Sequence, residues 1–333
     1  LLLHVNGVTT SHAHQVRDLE ALVWLSVEQP LDVVGIHNST EGFRADLLES
    51  LLAKGELFRF WPEQRNAESE SRLQGYADLL TQLMGLDLAP DEDILNRLEL
   101  SSPAMVPQVF GGKSSSGSFF DLDLVRRLPL VQKMGWQDFE NYFYGRYPAG
   151  APRPTLRLAY EILKGLRAGS EIFIVAHSQG MIIAALAFHI LEKFFGDSVS
   201  WSKKLRFIGY GPVILFADLP LCMRSQTVMI QHRQDLVAES LSNLRNLGFW
   251  GNLQNQIKNV FDNYEGLIRS LNNDSHHSAS LYLGLLSQAA GERSAKLIQL
   301  LLTQDWQHSA LVQPLRASRI IIEEFAEESM ASA

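Results

Sequence analysis

Five short apolar runs punctuate the chain: "LLLHV" (1–5), "LDVVGI" (31–36), "IFIVA" (172–176), "LRFIGY" (205–210) and "TVMIQ" (227–231). Several carry Val or Ile and each is bounded by turn or helix signals, which predicts strands buried on both faces. Between them the apolar positions change to a helical period. Leu156, Ala159, Leu163 and Leu166 recur every three or four residues, after Pro154 and before Gly169, the residues expected at a helix start and stop. Val16, Leu19 and Val23 form a second stripe ahead of Pro30, and Phe43, Leu47, Leu48, Leu51 and Leu52 a third after "STEG". The order βαβα, a long gap, then αβαβ and β predicts an α/β fold. Its sheet is mainly parallel and doubly wound, and its sites lie at the C-terminal ends of the strands.

The gap, 56–152, is too long for a connection inside a compact domain. It is expected to be an inserted helical lid or cap after the second strand, within a single domain spanning 1–333. "ESRLQGYADLLTQLMG" is amphipathic and "GGKSSSGS" is a flexible loop. "WQDFENYFYGRY" is an aromatic-rich helix with Trp136, Phe139 and Phe143 on one side, which either pack on the sheet or line an apolar pocket. From Val237 onward the pattern is mostly helical and runs out in the acidic "IIIEEFAEESMASA".

Composition narrows the function. With 46% hydrophobic and 20% charged residues the chain is expected to fold as an ordinary globular domain. Its 29 basic and 37 acidic residues give a formal charge of −8. Without a basic run this argues against a nucleic-acid partner. The single cysteine, Cys222, excludes an intrachain disulfide and a cysteine-based metal site. No apolar stretch approaches the roughly 20 residues of a membrane span, although peripheral membrane contact stays open. The chain opens at "LLLHVNG" without a Met or a charged leader, as expected of a trimmed sequence, so an upstream signal stays open and the expected location is cytoplasmic. "FGGKSSSGS" fails as a phosphate loop because Pro107 stands where a Gly is needed. No cofactor or metal is implied.

The informative stretch is "IFIVAHSQGMIIAALAF", residues 172–188. A Ser on a tight turn between a buried strand and a helix has its hydroxyl pushed into the crevice, beside a helix N-terminus that favours negative charge. Ala176 and Gly180 are small, as a turn this sharp requires. "AHSQG" resembles the nucleophile elbow of the α/β-hydrolase superfamily, in the variant whose first Gly is Ala, as in lipase- and esterase-like serine hydrolases. That resemblance covers roughly 1–55 and 153–283. It implies a sheet of the α/β-hydrolase type and Ser178 as nucleophile.

The same resemblance implies an acid and then a histidine, in that chain order. Asp235, after "TVMIQ", fits the acid, although its position before "LVAESL" also suits a helix N-cap. Asp218 is the rival. "NNDSHHSASLYL" offers His276 and His277, and "HSASLYL" favours His277 through its similarity to the last helix of lipase-like members. The oxyanion hole would take one N–H from Gln179 and another from "HVNGVTT", where Asn6, Gly7 and Val8 are the candidates and Val8 is favoured as the donor. The implied activity is cleavage of a small-molecule or lipid ester, or a thioester, through a Ser-His-Asp triad and an acyl-enzyme. An acyltransferase with the same triad and a hydrolase-like binding scaffold without chemistry are the alternatives.

Overall fold

Each of the five apolar runs lies in a strand: β1 (Leu2–Val5), β2 (Val33–Ile36), β3 (Ile172–His177), β4 (Leu205–Tyr210) and β5 (Thr227–His232). In the computed structural model of the protein the described residues are 1–7, 10–29, 31–38, 50, 53–85, 152–196, 198–242 and 275–323. The strands pair in the order β2-β1-β3-β4-β5-β6, all parallel, where β6 is Ser318–Ile322. Strands β1, β3, β4 and β5 are buried along their whole length, which is why they read as continuous apolar runs rather than alternating ones.

Helices cover both faces. On one lie α2 (Ala67–Gly85), α3 (Pro152–Arg167) and α4 (Gln179–Phe195), over a core that includes Leu3, Val5, Ile174, Ala176 and Phe207. On the other, α1 (His12–Leu25) and α7 (Ala289–Thr303) cover Leu2, Phe173, Val175, Ile208 and Val228. Fully burying a Leu or Ile side chain contributes about 1.5–3 kcal/mol, so these two cores hold the strand order. Gln179–Leu191 of α4 are all buried, because the sheet encloses this helix on one side and α2 and α3 on the other. The shorter helices α5 (Leu236–Ser242) and α6 (Ala279–Tyr282) follow β5 and precede α7.

Two expectations need revision. The stripe Val16–Leu19–Val23 is not the buried side of α1. Val16 and Val23 are exposed and Leu19 is half-buried, while Gln15, Asp18, Ala21 and Leu22 face inward. Gln15 can turn inward because its Oε1 lies 2.7 Å from His37 Nδ1, so burial leaves that oxygen paired. Second, the C-terminal region is not helical to its end. Ile320–Ile322 belong to β6, the edge strand paired with β5. The described part of the expected insert packs against α4. Leu73, Tyr76 and Leu80 of α2 and Leu57 of a helical stretch at 53–59 join the same core as α4. The rest of that insert, with Trp136, Phe139 and Phe143, and the stripe Phe43–Leu52 lie outside the described residues.

Among the described residues, no helix is long and apolar enough to cross a membrane.

Candidate active site

Strand β3 ends at His177, the chain turns at Ser178 with φ 50° and ψ −122°, and α4 begins at Gln179. The turn presses the start of α4 onto the end of β1. A side chain at Gly180 would run into the Val5 carbonyl oxygen, and one at Gly7 would stand 2.9 Å from Ser178 Cβ and 2.8 Å from His177 Nδ1. Both positions therefore require glycine, for want of space.

At this turn three side chains form a hydrogen-bonded row. Ser178 Oγ lies 2.8 Å from His277 Nε2, and His277 Nδ1 lies 2.9 Å from each carboxylate oxygen of Asp235. The carboxylate beside Nδ1 assigns the proton to that nitrogen, leaving Nε2 to accept from the serine hydroxyl. The row is largely buried: Ser178 is 2%, His277 9% and Asp235 0% exposed.

Asp235 stands between two sets of partners. While facing His277, it caps α5 by accepting from the Ala238 N–H through Oδ1 at 2.8 Å. Burial pushes its carboxyl upward, but the His277 charge and the donors His277, Ala238 and Tyr282 outweigh this and hold it below the usual range. The rival, Asp218, is occupied elsewhere. It accepts from Lys54 Nζ at 2.7 Å, Trp61 Nε1 at 3.1 Å and the Leu215 N–H at 2.8 Å. His277, not its neighbour His276, makes the bonds to Ser178 and Asp235.

The row has supports that apolar patterning did not reveal. His177 donates from Nε2 to the backbone carbonyl of His277 at 2.8 Å and stacks on Tyr210, ring centres 5.0 Å apart. Burial, and then the nearby His277, hold its imidazole down at about 3, so it stays neutral at physiological pH. The hydroxyl of Tyr282 donates to Asp235 Oδ2 at 2.7 Å. Only its place in "HSASLYL" could have drawn attention to it.

A second network fixes the region proposed for oxyanion binding. Asn6 Nδ2 donates to the carbonyls of Gly7 (3.0 Å) and Asn38 (2.9 Å), and Asn6 Oδ1 accepts from the Asn38 N–H at 2.7 Å. Asn38 Nδ2 in turn donates to Gln179 Oε1 at 2.7 Å. The loops after β1 and β2 are thereby tied to the first residue of α4, whose N–H lies in the turn that lacks intrahelical acceptors. Gly7 stands against Ser178, whereas Val8 lies outside the described residues.

Among the described residues, no group of three His, Cys, Asp or Glu side chains could hold a metal ion. The arrangement offers a hydroxyl, an imidazole able to take its proton, and a carboxylate to orient that imidazole, at the C-terminal ends of β3 and β5. Compared with family models, curated proteins and solved structures, the chain matches none.

Proposed function

We propose that the protein is a serine hydrolase of the α/β-hydrolase type that cleaves an ester or thioester. The observation that carries this reading is His277 standing between Ser178 Oγ at 2.8 Å and Asp235 at 2.9 Å, beside a helix N-terminus. As Ser178 Oγ adds to the substrate carbonyl, His277 Nε2 takes its proton, and Asp235 stabilises the resulting imidazolium. The N–H of Gln179 and an N–H of the loop after β1 hold the oxyanion. Collapse of the adduct breaks the bond to the alcohol or thiol, which leaves with the proton from His277. Water, deprotonated by the same nitrogen, then attacks the acyl-serine, releasing the acid and restoring Ser178.

The test is covalent labelling by a fluorophosphonate together with turnover of p-nitrophenyl butyrate. Wild-type protein reacts in both assays, and Ser178→Ala in neither. Labelling that persists in Ser178→Ala would sink the assignment.

A further inference from the structure

Tyr282 is fully buried, and the proposed reaction does not call for it. Its hydroxyl donates to Asp235 Oδ2 at 2.7 Å and accepts from the His232 N–H at 2.8 Å. Its ring lies flat on His232, centres 3.9 Å apart with 7° between the planes, so the phenol cannot swing away without unstacking. His277, five residues earlier in the same short segment, bonds the same carboxylate.

We infer that Tyr282 is a positioning residue that, through Asp235, sets the proton affinity of His277 as well as its orientation. This rests on the hydrolase reading and adds regulation of its base. A hydroxyl donating to a buried carboxylate disperses its negative charge, so less of that charge is available to hold a proton on the imidazole. Burial and the adjacent Asp235 keep the phenol protonated, so it serves only as a donor toward the carboxylate. Among the described residues, the other titratable or charged groups facing these residues are His177, against His277, and His232, Tyr210 and Arg319, near Tyr282.

The experiment follows the His277 titration by nitrogen-15 NMR in the full chain, which needs no turnover. Wild type is compared with Tyr282→Phe and with 3-fluorotyrosine at position 282, a stronger donor of nearly the same shape. Tyr282→Phe is expected to raise the His277 pKa by about half a unit or more, and fluorotyrosine to lower it. The acidic limb of kcat/KM for p-nitrophenyl butyrate moves the same way, and Tyr282→Phe lowers kcat about ten-fold with KM little changed. In an Asp235→Asn background Tyr282→Phe adds nothing further. A purely structural tyrosine would give no opposite shifts.

A His277 titration unchanged by both substitutions, in folded protein, overturns the inference. Should Tyr282→Phe fail to fold, the fluorotyrosine chain decides alone. Wild-type protein inert to fluorophosphonate, with His277 shifting as expected, would remove the hydrolase reading while leaving the control of His277 by Tyr282 in place.

Discussion

The side-chain amide of Asn38, in the loop after β2, donates to Oε1 of Gln179, the residue after Ser178, at 2.7 Å. Two loops that never touch in sequence are thereby held in one geometry. Losing a single oxyanion donor outright costs about 100- to 1000-fold in kcat, and loosening one costs less. Asn38→Ala is therefore expected to lower kcat for an ester about ten-fold while KM stays within about two-fold. Asn6→Ala removes three bonds and is expected to cost more. Equal kcat in Asn38→Ala and wild type would show that the clamp has no bearing on turnover.

The two acids separate cleanly by assay. Asp235→Asn is expected to cut kcat by roughly 10,000-fold, because the imidazole loses the partner that fixes its tautomer. Asp218→Asn leaves the Lys54 ammonium buried without its carboxylate, at side-chain exposures of 7% and 4% for the pair. Breaking such a pair destabilises by about 3–5 kcal/mol. Urea unfolding should register that loss in Asp218→Asn, with kcat close to wild type at low temperature. A large kcat loss in a folded Asp218→Asn protein would contradict the placement of the two carboxylates.

Three buried groups make stability depend on pH with opposing signs. Burial holds His4 at about 3, and burial together with His277 holds His177 there, from an ordinary 6.5. The unfolded chain takes up these protons and the folded chain does not. Their contribution is complete above pH 6.5 and is lost as pH falls toward 3, by about 1.4 kcal/mol per unit for each histidine. Burial pushes Asp18 up to about 7 from 3.8, Arg17 only partly offsetting it. The folded chain keeps that proton longer, so stability from this group rises as pH falls from 7 toward 4. Asp18 thus cancels one histidine over that window. Asp18→Asn should stabilise the protein at pH 7, by a margin that vanishes near pH 4. Urea midpoints across that range would check it, and parallel curves for the two proteins would contradict it.

What could be read from the sequence was what local chemistry dictates. Ala176, Ser178 and Gly180 mark the turn because a buried strand leading into a buried helix leaves room for little else, and Gly180 meets the Val5 carbonyl as that crowding requires. Asp235 and His277 followed from chain order once the elbow resembled a known one. The inward face of α1 did not follow, because Gln15 and Asp18 occupy it and a search for apolar stripes places such residues in water. Nor did Asn38 or Tyr282, whose partners stand 141 and 47 positions away. A side-chain bond across that distance leaves no periodic trace. Strand β6 was missed because its three isoleucines run straight into the acidic "EEFAEES" at the end of a region with helical spacing, with no turn signal to close the run as a strand.

Ser178 occupies φ 50° and ψ −122°. A residue with a side chain in such a conformation gives up about 1–3 kcal/mol, while glycine adopts it with little strain. A lineage in which the hydroxyl had fallen out of use would gain stability from one Ser-to-Gly replacement at this position. Selection for the fold alone therefore pulls residue 178 toward glycine. A serine there carries that strain in every folded molecule, so Ser178→Gly is expected to unfold at a higher urea midpoint than wild type.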